Sequence, residues 1–382
     1  MPAGAAHDAA LRELMQGQSN DCYWHGVFGG IYIAHMRLAT YEHLIAAEDA
    51  ADAAARAAGE AVDGIALVDT DLDGLDEILL TSPGQTVVID TVEGGGIGSW
   101  DIRPVRHALA AVMRRRPEAY HQRLIDGAAA PSPESTGHAT EHDHGSAGVA
   151  SIHAVVRSRE PGLAERLTYD GYERRSGLVH LFAPGTTRES FGRAEAVELG
   201  DAHTGAYDIV ERTDSAVRLR RDVRLEHGAT VRVEKRFKFA GDRREPNLGL
   251  EVSVENCSQE PLRFDLAVEW ALMLLGGGGN PAAYYEVGGE RQAHDGAGEL
   301  AEATLVRSGN TYIGIDLATS FDPPATAWWT PIETVSNSEY GFERIYQGSA
   351  LVGIWPMELA PAERRTVTVG QQVTTDRDRA AD

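Results

Sequence analysis

The chain has 382 residues, of which 42% are hydrophobic and 24% are charged, a composition that is typical of a globular protein of two or three domains. Its 58 acidic residues outnumber its 35 lysines and arginines, which gives a formal net charge of -23. Such a surface repels phosphate groups and anionic lipids, so we expect neither nucleic acid nor a membrane as partner, whereas neutral or cationic ligands remain open.

The cysteine usage and the apolar runs bear on the cellular compartment. Cys22 and Cys257 are far apart and neither belongs to a CxxC pair, so the sequence indicates neither a disulfide framework nor a zinc site. The first residues do not have the pattern of a secretory signal, and the longest apolar run, around residues 270–279, is too short to span a bilayer. We therefore expect a cytoplasmic protein.

The first predicted element is a mostly helical region over residues 6–60. From Ile31 onward, apolar residues recur every three or four positions, which predicts one amphipathic helix. The alanine-rich stretch that follows favours the same helix, and Gly59 is a plausible stop.

The stretch QSNDCYWHGVFGG, at residues 18–30, precedes this helix and combines rings with hydrogen-bonding groups. Tyr23 and Trp24 offer apolar planes, and Asp21 and His25 offer polar groups, which is the combination that a sugar-binding site requires. The same residues also fit a purely structural interpretation, in which the rings are core residues and Asp21 caps the following helix. The residue types alone leave both interpretations open.

At residue 63 the pattern changes to short strands joined by turns rich in Asp and Gly, which predicts a small β insertion over residues 63–98. In one turn, DTDLDGLDE, Asp69, Asp71 and Asp73 alternate, as in loops that bind calcium. However, Leu80 stands where an EF-hand has Glu, and acidic turns are also common without a metal. Calcium at these three residues remains open, and no cofactor is required.

Two further segments precede the last domain. A second helical stretch is predicted over residues 105–125, with Pro117 breaking or restarting it. Residues 127–150 are small, polar and proline-bearing, which predicts a flexible linker. Such a linker gives its histidines no fixed geometry for a metal; they are His138, His142 and His144.

From residue 151 onward the apolar residues alternate along the chain. Two successive segments place their apolar residues on one face each: Val217, Leu219, Val223 and Leu225, then Val231, Val233, Phe237 and Phe239. No helical stretch interrupts these strands, which predicts a large antiparallel β-sandwich over residues 151–378. The expected fold class is therefore α+β, with a helical region over residues 1–126 that carries the β insertion, then the linker and the sandwich.

The block IETVSNSEYGFERIYQG, within this last region, is rich in charged residues and tyrosines. Its charged residues are Glu333, Glu339, Glu343 and Arg344. Nothing in the sequence shows that two of the carboxylates are close, so structural ion pairs and acid/base catalysis of the mutarotase kind both remain open.

Three blocks of the chain resemble glycoside hydrolase family 57, in its α-amylase and 4-α-glucanotransferase branch. They are QSNDCYWHGVFGG at 18–30, RRRPEAYHQRL at 114–124, and the longer block at 331–363 that contains IETVSNSEYGFERIYQG. In the family the first block reads much like QCNDAYWHGVFGG, from which this chain departs at Ser19 and Cys22. The resemblance extends over nearly the whole chain, apart from the linker and the extreme ends.

The resemblance implies that Asp21, Tyr23, Trp24 and His25 contact a sugar or shape the cleft of an α-glucan or maltooligosaccharide site. It also implies a sandwich of the glycosidase C-terminal or mutarotase-like type. In this family the catalytic Glu and Asp lie on a (β/α) barrel that precedes the first block, which here begins at residue 18 and leaves no room for a barrel.

We therefore expect a function in carbohydrate metabolism, as the non-catalytic half of an α-amylase or 4-α-glucanotransferase. In this hypothesis the chain binds α-glucan and completes the cleft of a separately encoded catalytic barrel. The alternative is a stand-alone carbohydrate-binding or scaffolding protein that has no catalytic partner.

Overall fold

The computed structural model describes residues 4–25, 30–129, 158–225, 228–338 and 341–380. The helices are α1 Ala5–Gly17, α2 Ala34–Ala57, α3 His121–Ala129 and α4 Arg188–Gly192. The strands of a first sheet are β1 Gly64–Val68, β2 Glu77–Thr81, β3 Gln85–Asp90, β4 Gly96–Ile102 and β5 His107–Ala108. The strands of a second sheet are β6 Leu178–Phe182, β7 Asp208–Arg212, β8 Ala216–Arg224, β9 Thr230–Gly241, β10 Pro246–Asn256, β11 Leu262–Leu272, β12 Ala283–Val287, β13 Glu290–Ala293, β14 Gly298–Asn310, β15 Ile315–Ser338, β16 Gly341–Leu359 and β17 Arg364–Thr375.

The second sheet has twelve strands and folds back on itself to form the sandwich. Its main path runs β13-β12-β14-β15-β17-β10-β9-β8-β7. The 24-residue strand β15 pairs with β17 at its start and, from Thr326 onward, with β16, which continues to β11 and β6. All pairings between the named strands are antiparallel, which confirms the predicted α+β fold with an antiparallel sandwich.

The alternating residues predicted for β8 and β9 form part of the main hydrophobic core. Val217, Leu219, Val223, Val231, Val233 and Phe237 are all at most 1% exposed. Strand residues that point to one face bury their side chains together, so each strand contributes a continuous apolar row. The sequence pattern therefore predicted the buried face of both strands correctly.

The first sheet is an antiparallel meander in the order β1-β2-β3-β4-β5, and it extends beyond the predicted end of the insertion at residue 98. Its buried face belongs to the same core cluster as the sandwich. The rings of Trp100 on β4 and Trp270 on β11 lie 5.8 Å apart, and Ile97 and Ser176 exchange backbone hydrogen bonds of 2.8 and 3.1 Å. The β insertion is therefore packed as an integral part of the sandwich.

Three segments were predicted, over residues 1–126, 127–150 and 151–378, and this division stays a prediction. Most of the linker, including His138, His142 and His144, lies outside the described residues. Glu339 of the charged block also lies outside them.

Helix α2 confirms the predicted amphipathic helix. Leu38 and Ile45 on its predicted stripe are buried, the helix ends at Ala57, and Gly59 adopts a φ of +83° just beyond it. A glycine with positive φ is a common way to end a helix. In the part of the chain that the structure describes, no helix is both long and apolar enough to cross a membrane, and the cytoplasmic location stays a prediction.

The helix predicted over residues 105–125 is wrong before Pro117. Strand β5 occupies residues 107–108. The N–H of Leu109 donates to Trp100 O at 2.7 Å, and its carbonyl accepts from Met273 N at 2.8 Å. Leu109 therefore connects the two sheets through its backbone. These long-range pairings outweigh the weak local preference for a helix. Only α3, which begins at His121 beyond the proline, is helical.

Candidate functional site

The loop of residues 20–25 follows α1 and carries the four residues that were predicted to contact a ligand. The side chains of Tyr23 and Trp24 are 56% and 51% exposed, Asp21 is exposed, and His25 is half-buried. The interpretation of both rings as core residues is therefore wrong. Asp21 does not cap α2 either, because the residue at the cap position is Ile33.

The backbone of the loop is fixed although its rings face solvent. Tyr23 Oη donates to Gly17 O at 2.6 Å, and Ile31 N–H donates to Trp24 O at 3.0 Å. The second bond requires Gly30, which has a φ of +50° and would place a Cβ atom 2.1 Å from Trp24 O. A glycine is needed both for this backbone conformation and for this close approach.

His25 lies where the three blocks of the sequence meet. Its ring centroid lies 4.9 Å from that of Tyr32 and 5.3 Å from that of Tyr120, which belongs to the second block. Tyr120 in turn contacts Phe342 of the third block at 6.0 Å. Segments that are far apart in sequence therefore form one continuous surface around the loop.

A buried arginine on α2 secures this arrangement. Arg37 is 7% exposed, and its Nη2 donates to Gln347 Oε1 and to Ala111 O, both at 3.0 Å. Gln347 Nε2 donates to Tyr32 O at 2.9 Å, so α2, β16 and the turn after the loop are tied together. Burial lowers the pKa of Arg37 to about 10, which still leaves the guanidinium charged at neutral pH.

Further contacts join the second block to its neighbours. Tyr32 Oη donates to Glu118 Oε1, and His121 Nε2 lies 2.8 Å from Val335 O. The sequence analysis did not single out Tyr32 or Glu118. Both lie in or beside the quoted blocks, but residue types alone do not show which members of a block face each other.

A cavity of about 1000 Å³ opens beside the first turn of α2. Its lining includes His35, Gly278, Asp295, Tyr312 and Arg344, and the Tyr312 side chain is 80% exposed. The cavity thus offers an exposed ring and several polar groups, and it is the second candidate surface for a polar ligand.

The structure brings two carboxylates of the charged block to this cavity, Glu333 and Glu343. Arg344 donates to Glu333 at 2.9 Å and to Glu160 at 2.7 Å, while Glu343 lies 2.5 Å from Arg159. The hydrogen bond from Arg344 lowers the pKa of Glu160. Both carboxylates of the block are thus paired with arginines, which favours the interpretation as structural ion pairs over acid/base catalysis.

The acidic turn between β1 and β2 gathers three oxygen donors. Carboxylate oxygens of Asp69, Asp71 and Glu77 lie within 4.8 Å of one another. Asp73, the third predicted ligand, is not in this group, and its carboxylate accepts a bond from Leu75 N–H at 2.7 Å. Calcium at this turn stays a prediction, with Glu77 as the third side chain that the geometry favours.

Comparisons with known proteins agree with the resemblance of the three blocks. A family profile described as alpha-amylase/4-alpha-glucanotransferase, C-terminal, matches residues 69–369, and the profile of the middle domain of the same proteins matches residues 1–51. Alpha-amylase 1 of Dictyoglomus thermophilum is 30% identical over 360 residues, which cover 94% of this chain and 48% of that protein. The 4-alpha-glucanotransferase of Thermococcus kodakarensis is 28% identical over 365 residues, which cover 90% of this chain and 45% of that protein.

The fold is also similar to that of a solved structure. The crystal structure of 4-alpha-glucanotransferase from Thermococcus litoralis matches with a TM-score of 0.72 at 24% identity, over 96% of this chain and 48% of that one. The chain spans about half the length of the curated relatives it matches.

We predict that replacing Gly30 by alanine loosens the 20–25 loop. Both Gly30→Ala and the control Gly59→Ala place alanine at a positive φ, but only position 30 adds a clash, because a Cβ at Gly59 meets nothing within 4 Å. Hydrogen exchange of the Ile31 amide, which bonds Trp24 O, should therefore be at least about tenfold faster in Gly30→Ala, a loss of about 1.4 kcal/mol of local protection. Equal exchange rates in the two variants would contradict this role of Gly30.

Proposed function

The chain belongs to the alpha-amylase/4-alpha-glucanotransferase family, within glycoside hydrolase family 57, and on this basis we propose that it binds α-glucan through the 20–25 loop. Its function lies in carbohydrate metabolism. In this proposal the chain is the non-catalytic half, which supplies one wall of the cleft, and a catalytic barrel supplies the reacting carboxylates.

The observation that carries the proposal is the exposure of two rings on a fixed loop. Tyr23 and Trp24 are each more than half exposed, while the Tyr23 hydroxyl donates to Gly17 O and Ile31 N–H donates to Trp24 O, which holds the loop in place. The apolar C–H faces of glucose units stack well on such rings. Because the loop is already ordered, little conformational entropy is lost when a glucan chain binds.

Two polar side chains beside the rings suit the hydroxyl rim of a sugar. Asp21 is exposed, and its carboxylate accepts hydrogen bonds from hydroxyl groups. His25 is packed against Tyr32 and Tyr120, which limits the orientation of its ring. Aromatic planes together with a few oriented polar groups are the usual composition of a carbohydrate site.

Cleavage with retention requires two carboxyl groups about 5 Å apart, one of them protonated and able to act as the acid. Two carboxylates near this site already have partners: Glu118 accepts a hydrogen bond from Tyr32, and Glu333 is paired with Arg344. The named strands also pair antiparallel throughout, whereas a (β/α) barrel is built from parallel strands. These features support a binding role for this half of the enzyme.

We predict that Trp24→Ala weakens the binding of maltoheptaose to the purified chain by about fivefold or more, because one stacked ring contributes about 1 kcal/mol. The melting temperature should stay within about 1 °C of the wild type, since the ring is 51% exposed. Calorimetric titration measures the first quantity and thermal unfolding the second.

Tyr312→Ala is the matched control, because Tyr312 is an exposed ring at the cavity beside α2. Its affinity for maltoheptaose should equal that of the wild type. If Tyr312→Ala weakens binding and Trp24→Ala does not, glucan binds in the cavity, and the assignment to the 20–25 loop is wrong.

We predict that the 382-residue chain, purified alone, does not disproportionate maltooligosaccharides although it binds them. A pull-down from the source cells with the tagged chain should recover a barrel protein, and turnover should appear in that mixture. Robust turnover by the chain alone would refute the non-catalytic role. Glycogen binding without recovery of any barrel protein would instead support the alternative of a stand-alone binding or scaffolding protein.

We also propose that the acidic turn binds calcium through Asp69, Asp71 and Glu77. Glu77 is buried and the two aspartates are close to it, so the turn has oxygen donors on a short loop, as calcium requires. Removal from water and the nearby carboxylates raise the pKa of Asp71. A bound cation would offset the repulsion between these carboxylates.

Calcium at millimolar concentration should raise the melting temperature by about 2 °C or more, and Asp71→Asn should abolish this rise. Asp76→Asn is the control, since Asp76 is an exposed carboxylate of the same turn outside the three-residue group. An equal calcium effect in the two variants, or none in the wild type, contradicts the calcium site.

A further inference from the structure

A second group of ligand-type side chains lies inside the sandwich, on elements that do not contribute to the 20–25 loop. His180 is on β6, Glu198 is in the segment that follows α4, and His203 is in the turn before β7. One ligand atom from each of the three lies within 4.8 Å of the other two. The spacing is short enough for a single ion to contact all three after small side-chain movements.

We propose that His180 Nδ1, the Glu198 carboxylate and His203 Nδ1 bind one divalent transition-metal ion, for which Zn²⁺ is the best match. Zinc binds a ligand set of imidazole nitrogens and a carboxylate oxygen more readily than magnesium or calcium does. Three protein ligands leave the fourth position of a tetrahedral site open to water or another small ligand.

Two atoms of the group have unused bonding capacity. Glu198 Oε2 and His203 Nδ1 are buried, lack a hydrogen-bond partner among the described residues, and lie 3.6 Å apart. A buried polar atom without a partner is costly, and a metal ion between the two would satisfy both.

His180 has the outer support that metal-binding histidines usually have. Its Nε2 lies 3.0 Å from Glu269 Oε2, which leaves Nδ1 directed at Glu198. Glu269 is itself buried and accepts hydrogen bonds from Arg174 at 2.9 Å and from Tyr172 at 2.8 Å. A carboxylate behind the second ring nitrogen fixes the tautomer and makes the ligating nitrogen more basic.

The charge balance of the surrounding network also favours a cation. The connected groups are two guanidiniums and three carboxylates, those of Arg115, Arg174, Asp170, Glu198 and Glu269. These five groups carry one more negative than positive charge, and a bound cation would offset it.

The group is reachable from solvent on one side. His180 is fully buried, whereas the side chains of Glu198 and His203 are 21% and 13% exposed. An ion would therefore reach the group past Glu198 and His203. The bound ion would tie β6 to the segment that contains Glu198 and His203.

The test uses the full chain carrying His138→Ala, His142→Ala and His144→Ala, which removes the histidines of the predicted linker as competing ligands. This chain is stripped with a chelator, and Zn²⁺ is titrated in and counted by mass spectrometry after dialysis. We expect one equivalent of zinc per chain, with affinity at least about tenfold weaker in His203→Ala. His35→Ala, at an exposed histidine outside the group, should match the parent.

Glu198→Gln provides a second route to the same answer, because it keeps the size of the side chain and removes only its charge. We expect it, too, to weaken zinc by at least about tenfold. Cobalt in place of zinc should give visible absorption bands of a four-coordinate site with nitrogen ligands in the parent chain and in His35→Ala, but not in His203→Ala.

Failure of the parent chain to retain zinc, or equal retention in His203→Ala and Glu198→Gln, would overturn the proposal. Loss of zinc in the double variant Asp69→Asn, Asp71→Asn alone would also overturn it, because the ion would then lie in the acidic turn. None of these measurements involves a glucan, so their outcome is independent of the proposed function.

Discussion

The candidate glucan surface depends on one buried interaction, the contact between Arg37 on α2 and Gln347 on β16. The two residues are 310 positions apart in sequence, and their side chains are joined by a 3.0 Å hydrogen bond. Gln347 also binds the carbonyl of Tyr32, whose ring supports His25. Because a buried guanidinium must keep its hydrogen bonds, the helix cannot slide over the sheet without a large penalty, and the loop before it stays in place.

The same kind of polar contact joins the small sheet to its neighbours on both sides. On one side, the buried Lys235 of β9 donates to the carbonyls of Gly94 and Gly95 at 2.9 and 2.5 Å. On the other side, Arg103 beyond β4 donates to Asp52 on α2 at 2.5 Å. Apolar burial gives the core most of its stability but little directional preference, whereas these bonds fix which strand and which helix turn meet.

The sequence was informative where the pattern is local and uninformative where the partner is distant. Alternation in β8 and β9 predicted the buried residues from Val217 to Phe237. Successive side chains of a strand point to opposite faces of the sheet, so every second residue faces the core. The helix predicted before Pro117 failed because the partners of Leu109, at Trp100 and Met273, cannot be read from local spacing. The residue types also left open whether Trp24 is exposed or buried. Only the family resemblance indicated a ring that contacts a sugar.

The two groups of candidate metal ligands show the same limit more clearly. In the acidic turn the regular D-x-D-x-D spacing pointed to Asp73, yet Glu77 lies beside Asp69 and Asp71 because residue 77 begins β2 and faces inward. His180, Glu198 and His203 have no spacing motif, since a strand, the segment that follows a short helix and a turn bring them together. A surface with net charge -23 attracts cations and does not repel a neutral glucan, so both kinds of ligand are compatible with the same acidic chain. The proposed stacking on Trp24 and the proposed coordination inside the sandwich involve different elements, so we expect a substitution at one site to leave the other unchanged.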